Sequence, residues 1–281
     1  MIDLHIHTKY SDGTKTPLEI LQMAESLGLK QISITDHNCV DGAVEATKYL
    51  DDFIFDFIIG CELSCDYKDK EIHLLGYFDK NTKNFDALNT FIKKGDSAKQ
   101  IQHKGIIEKF RNLGFDVSYD ELVKMYPNVA RNRVHIAQLL ISKGYAQSVA
   151  EVFDKYVTKG KPCYVRKQSQ PLYEGIEAIH KCGGIAVIAH FYEYKQPDFE
   201  EFFGDIIQKI DGIEAYHSKH SLEQTNVLID VANRYGKIIT GGSDYHGAVK
   251  PNVQLGCANV PDKYMIRFFN MHKIKDGLSD E

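Results

Sequence analysis

The chain lacks any apolar run approaching the roughly 20 residues of a membrane-spanning helix. Its first residues, Met1-Ile2-Asp3-Leu4-His5, lack the basic start and long apolar core of a secretory signal. A cytoplasmic location with no membrane attachment is the expectation. A basic surplus is missing too: 34 Lys and Arg face 39 Asp and Glu, a formal charge of −5, which argues against an extended nucleic-acid groove. It leaves open a small phosphorylated ligand whose charge is neutralised locally. No Cys-x-x-Cys pair occurs among the six cysteines, which read as reduced thiols rather than a disulfide frame. Cys61 and Cys65 read as small buried residues of a strand. Internal repeats and low-complexity segments are absent as well. What remains is 281 residues of ordinary globular composition, 43% hydrophobic and 26% charged, enough for one barrel-sized domain or a domain carrying an insertion.

Short apolar runs alternate with helical patterns over the N-terminal third. Ile2 to His7 alternates with period two, so Asp3, His5 and His7 share one face. Pro17 to Leu29 reads as a helix with Thr16 as N-cap, Pro17 in the first turn and Gly28 near its end. Further strands are expected at residues 31–35, 57–64 and 71–78, with a helix at 42–49. From about residue 85 to 157 the pattern is helical. Alternation resumes with a helix at 172–182, strands at 185–189, 212–216 and 237–241, and a helix at 222–235. Seven strands in this order favour a closed or nearly closed parallel α/β barrel. Its expected bounds are 1–84 and 158–270, with residues 85–157 as a helical insertion over one face, and the polar tail beyond Asn270 is expected to fray.

The chemistry-bearing residues are His5, His7, Asp12, Asp36-His37, Glu62, His73, His190 and Asp244-x-His246. Apart from His5 and His73, each falls at or just beyond the C-terminal end of an expected strand, the end where parallel βα folds bind ligands. An isolated His-x-His is a common accident, and single histidines are usually hydrogen-bonded core residues. Glu62 is more telling: it interrupts Ile58-Ile59-Gly60-Cys61-Glu62-Leu63, where a bare buried carboxylate is too costly and no basic neighbour is in the run. Seven segments delivering six of the twelve histidines and four carboxylates to one rim point to a metal cluster.

His5-x-His7 with Ser11-Asp12-Gly13, Thr35-Asp36-His37, Gly60-x-Glu62, His190 behind an apolar strand and Gly242-Ser243-Asp244-x-His246 together resemble the PHP family, the polymerase and histidinol phosphatase phosphoesterases. The match runs from residue 2 to about 247. The resemblance implies a distorted seven-stranded barrel with three divalent ions of manganese, iron or zinc. His5, His7, Glu62 and Asp244 would hold one ion. Asp12, His37 and His246 would hold a second, and Glu62 would bridge to a third completed by His73 and His190. Asp12 stands where some members place His, which suggests a harder second site. Asp36 is expected to orient a ligand histidine.

The helical block resembles that of the nucleotide-phosphatase branch. There an Arg-x-His segment reads here as Arg131-Asn132-Arg133-Val134-His135-Ile136-Ala137, with Asn132 and Val134 departing from the usual Gly and Pro. Arg133 and His135 are therefore candidate substrate and catalytic contacts, as are His217, Lys219 and His220 in Glu214 to Ser221. The alternative for Arg133 and His135 is an exposed helix start, and for His217, Lys219 and His220 a solvated loop. Bound metals would supply hydroxide for in-line attack on a phosphomonoester, Arg133 would take up phosphoryl charge, and His135, His217 or His220 would protonate the leaving oxygen. A 3′,5′-bisphosphonucleotide or nucleoside monophosphate is the expected substrate. The alternatives are histidinol phosphate, phosphotyrosine, the 5′ end of a short RNA, a non-catalytic metal-binding module, and amide or lactone hydrolysis. The oligomeric state is not legible.

Overall fold

Strand β1 (Ile2–Ile6) is buried along its whole length because the chain wraps both of its faces. In the computed structural model, which describes residues 1–127, 131–166, 170–193 and 198–268, it opens a sheet continued by β2 (Gln31–Ile34), β3 (Asp56–Tyr67), β4 (Lys70–Phe78), β5 (Gln170–Pro171), β6 (Ile185–Ile188), β7 (Gly212–His217) and β8 (Ile238–Gly242). Seven strands follow in the order β1-β2-β3-β4-β6-β7-β8, with the two-residue β5 paired to β3 off that path. The barrel is nearly closed just beyond β8, where the His7 amide donates to the Tyr245 carbonyl (2.9 Å) and the Asp244 amide to the His5 carbonyl (2.9 Å). Closure requires Gly242, since a Cβ there would come within 2.4 Å of the His5 backbone nitrogen.

Seven strands hold; their all-parallel arrangement does not. β4 pairs antiparallel with both β3 and β6. The cause is a two-residue hairpin turn at Lys68 and Asp69, whose φ values of 46° and 69° suit a left-handed hairpin turn. Because β4 runs backwards, the start of β4 and the end of β3 lie at the same rim, which brings His73 opposite Ser64. Glu62 is likewise inside the long β3, not at its end.

Around the sheet lie α1 (Pro17–Ser26), α2 (Asp41–Ala46), the first turns of α3 (Asp86–Asn112), α7 (Leu172–Lys181), α8 (Phe199–Ile206) and α9 (Leu222–Arg234). Thr16 caps α1 as expected: its hydroxyl accepts from the Glu19 amide, and Glu19 reaches back to the Thr16 amide. The amphipathic α7 packs Leu172, Ile176 and Ile179 into the core with Leu63, Leu74 and Ile188. The helix α8, capped by Asp198, was not expected from the sequence pattern.

Two compact units result, Met1–Ile92 with Gln170–Glu281, and Lys93–Ser169. The second unit contains the rest of α3 with α4 (Tyr119–Met125), α5 (Arg133–Ser142) and α6 (Val149–Val152), the last running into a single π turn (Phe153–Val157). These pack around their own core of Ile106, Phe110, Leu122, Ile136, Leu140 and Val157. All six cysteines are free thiols, and Cys61 and Cys65 are fully buried, as expected. Among the described residues no helix is long and apolar enough to cross a membrane. The expected fraying beyond Asn270 lies outside the described residues.

Candidate metal centre

His5 and His7 leave β1 side by side, both wholly buried, with ring centroids 5.2 Å apart. Each presents Nε2 to the same atom, Oε2 of Glu62, at 3.3 and 3.2 Å. His37, just past β2, places Nδ1 3.0 Å from that oxygen. The other Glu62 oxygen, Oε1, lies 2.8 Å from both His73 Nδ1 and His190 Nε2. From beyond β8, Asp244 Oδ1 comes within 3.3 Å of His7 Nε2. Asp12, on the loop after β1, is 3.3 Å from His246 Nε2 and 3.6 Å from His7 Nδ1. All nine residues expected to bind metal thus converge.

They form four overlapping groups, each able to hold an ion: His7, Asp12, His37 and His246; His5, His7 and Asp244; His5, Glu62 and His190; and His37, Glu62 and His73. Relative to the allocation implied by resemblance, His7 also joins Asp12, His37 and His246, and Glu62 is absent from the group of His5, His7 and Asp244. The third set is divided, with Glu62 grouped with His190 and His5 on one side and with His73 and His37 on the other. The donor set fits divalent cations. His5 Nε2, His7 Nε2, His37 Nδ1 and Glu62 Oε2 are buried and have no hydrogen-bond partner, although they lie about one hydrogen-bond length apart. Lone pairs converging without an aligned proton cost several kcal/mol, and a cation at their centre removes that cost. Mixed imidazole and carboxylate donors suit zinc, iron or manganese.

The electrostatics show the same convergence. Burial alone would depress the imidazoles, but the charges of Glu214 and Glu62 hold His5 well above its usual range. The carboxylates of Asp244 and Glu62 beside it outweigh burial to raise His7 to about 9, and the Glu62 charge does the same for His73. At His37 burial wins and lowers it to about 3. Against burial, the surrounding histidines hold Glu62, Asp12 and Asp244 below the carboxylate range. Two members sit in unusual backbone, Asp244 at φ 57° and His190 at φ 21°, a strain retained where the surrounding structure demands it.

Asp36 reaches a candidate ligand histidine at one remove, through Ser11, whose Oγ lies 3.4 Å from His7 Nδ1. Its carboxylate accepts from the Thr8 amide (2.7 Å), the Thr8 hydroxyl (2.7 Å) and the Ser11 hydroxyl (2.6 Å), so it fixes the loop that carries Asp12. A second carboxylate, Glu214, fully buried on β7, orients a ring directly. It meets His5 Nδ1 at 3.0 Å and accepts the His190 backbone N–H at 2.8 Å. A neutral His5 then carries its proton on Nδ1 and presents the Nε2 lone pair. Glu214 interrupts an apolar strand as Glu62 does, and that signal was available in the sequence. A bulge at β7, where Glu214 pairs with Thr240 but Tyr216 with Gly241, turns both Glu214 and His217 inward.

His217 is accordingly buried and not a solvated loop residue. Its Nδ1 accepts from the Lys219 amide (3.3 Å), so a neutral ring carries its proton on Nε2, 3.6 Å from Asp244 Oδ2. His220 is opposite in sense: Nδ1 donates to the Ala215 carbonyl (2.9 Å), and burial lowers its pKa. Lys219 is exposed and paired with Glu193. In the second unit Arg133 starts α5 with its guanidinium 5.6 Å from the Phe153 ring centroid. His135 Nδ1 accepts from the Asn132 amide (3.0 Å), closing the cap of that helix.

The comparisons agree with this geometry. The family model for the PHP domain matches residues 3–162, more than half of the chain. The chain is 29% identical over 262 residues to a 3′,5′-nucleoside bisphosphate phosphatase of Chromobacterium violaceum, covering 87% of each. It is 28% identical over 257 residues to a 5′-3′ exoribonuclease of Haemophilus influenzae, covering 87% of this chain and 89% of the other. A crystal structure from Bifidobacterium adolescentis, described as a proposed metal-dependent phosphoesterase, superposes with a TM-score of 0.75 at 26% identity, covering 99% of this chain and 96% of that one. The chain belongs to the PHP domain family.

Proposed function

We propose that the chain hydrolyses the phosphomonoester of a small nucleotide, a 3′,5′-bisphosphonucleotide or a nucleoside monophosphate. Its reaction class is that of a metal-dependent phosphoesterase. The observation that carries the reading is the convergence of six histidines and three carboxylates in four ion-sized groups. The similarity to a nucleoside bisphosphate phosphatase over most of both chains supports the nucleotide.

In this reading His5, His7, Glu62 and Asp244 hold one ion. Asp12, His37 and His246 hold a second, and Glu62, His73 and His190 a third. When bound, manganese, iron or zinc ions supply Lewis acidity toward phosphoryl oxygens and a water deprotonated near neutral pH. Three carboxylates against three divalent ions leave a net positive centre suited to a phosphoryl dianion. His220, whose Nδ1–H donates to the Ala215 carbonyl, keeps Nε2 to take up and release a proton and is the better candidate to protonate the leaving oxygen. His217, whose Nδ1 accepts the Lys219 amide, is assigned as a neutral ring to donate a hydrogen bond from Nε2 to the substrate. Lys219 is assigned to the substrate as a surface cation. Arg133 and His135 are assigned to phosphoryl and leaving-group contacts on the resemblance of their segment alone.

The test is phosphate release by the manganese-loaded protein from adenosine 3′,5′-bisphosphate, AMP, histidinol phosphate, phosphotyrosine and a short 5′-phosphorylated RNA. Turnover concentrated on a mononucleotide is the expected result. Preference for the RNA would favour the exonuclease reading that the second relative supports, and no release from any of them by metal-loaded protein would sink the proposal.

A further inference from the structure

We infer that Lys250 is a phosphoryl-binding cation in the wall of the metal-site cleft. The inference rests on the phosphoesterase reading and adds a residue that neither motif spacing nor resemblance singles out.

Local chain chemistry puts it there. After His246 the chain makes one 3-10 turn (Gly247–Val249), tied down by the Ala248 amide donating to Thr14 Oγ1 at 3.0 Å. Pro251 then disfavours helical backbone at Lys250, which sits at φ −121°, ψ 71° and ends the turn. The side chain returns to Asp244, with Nζ 2.6 Å from Oδ2.

Asp244 divides its two oxygens between two tasks. Oδ1 faces the imidazoles, 3.3 Å from His7 Nε2, 3.7 Å from His5 Nε2 and 3.4 Å from His246 Nδ1. Oδ2 faces Lys250, with His217 Nε2 at 3.6 Å. The ammonium is thus one carboxylate away from the candidate ion position. It lines the same cleft, of about 340 Å³, as His37, His73 and His190. The cleft's other lysine, Lys219, pairs with Glu193 on the same wall and not with a candidate metal ligand.

An ion on Oδ1 would draw on the charge that now holds Lys250. The ammonium has three N–H donors, and Asp244 uses one. With its side chain 30% exposed, Lys250 can offer the others to a phosphoryl oxygen entering the cleft.

Lys250→Met and Lys250→Arg separate this role from mere support of Asp244. Metal content, kcat and KM for the preferred phosphomonoester, and calorimetric binding of inorganic phosphate to the manganese-loaded protein are compared with wild type. Lys250→Met should keep its full metal content while KM and the phosphate dissociation constant rise about 10- to 100-fold, the range for a charge-assisted hydrogen bond. Lys250→Arg should recover most of that loss. Metal content falling in Lys250→Met, or phosphate affinity unchanged with metals in place, would overturn the assignment. Phosphate binding is read without turnover, so a wild type inactive on every ester would sink the parent reading while the calorimetry still decided Lys250.

Discussion

Glu214 Oε1 lies 3.0 Å from His5 Nδ1 at the fully buried back of the cluster, and its second oxygen accepts the His190 amide. One carboxylate therefore fixes the tautomer of a candidate ligand on β1 and the backbone of another beyond β6. Glu214→Ala should lower metal affinity about 10- to 100-fold, the usual effect of removing such a partner. Glu214→Gln, which retains one acceptor, should lose less. Competition with a chromogenic chelator measures both, and an unchanged affinity in the Ala variant would remove Glu214 from the site.

The metal-free protein should be least stable on the alkaline side of neutrality. His7 and His73 rise from an ordinary value near 6.5 to about 9, and His5 is likewise held well above its usual range. Raised folded-state values give stability that is fully present below about 6.5 and lost as pH climbs through about 9. The depressed carboxylates act only at acid pH, and His37, lowered to about 3, opposes folding only below about 6.5, so neither masks the window. Thermal melts of chelator-treated protein should show Tm falling between pH 6.5 and 9. Over the same interval apparent metal affinity should rise, because ions compete with those protons. A flat Tm across the window would show that the rings are not proton-linked in this way.

Closure of the barrel makes Gly242 sensitive. A methyl group there meets the backbone of His5, which has no flexible end to move aside. Gly242→Ala should cost about 1–3 kcal/mol or more, the range for overpacking, and should reduce metal binding by displacing His5. Urea denaturation with metal titration checks both. Gly28→Ala makes a useful contrast: nothing lies near its Cβ, so its cost is the strain of its φ of 65° alone and metal binding should persist.

These residues also show what the sequence made legible. His5 and His7 were placed on one face by strand alternation, and Glu62 was marked by the cost of burying a carboxylate in an apolar run. The same cost applies to Glu214 between Ile213 and Ala215 on β7. The reversal of β4 was hidden for a physical reason: alternation carries no direction, and the turn that reverses the chain uses Lys68 and Asp69 without glycine. Asp36 hydrogen-bonds to Thr8 and Ser11 and reaches His7 only through the Ser11 hydroxyl, contacts that exist only once β1 and β2 are paired and that the sequence does not specify. Lys250 gave no signal, since a surface lysine near a proline is unremarkable until the fold returns it to Asp244.

The most direct measurement is phosphate release from adenosine 3′,5′-bisphosphate by protein stripped with a chelator and then reloaded with manganese, with bound metal counted at each stage. The account predicts activity lost on stripping, restored in proportion to metal bound, and abolished in Glu62→Gln, whose carboxylate joins two of the four ion groups. Full activity in verifiably metal-free protein would contradict it.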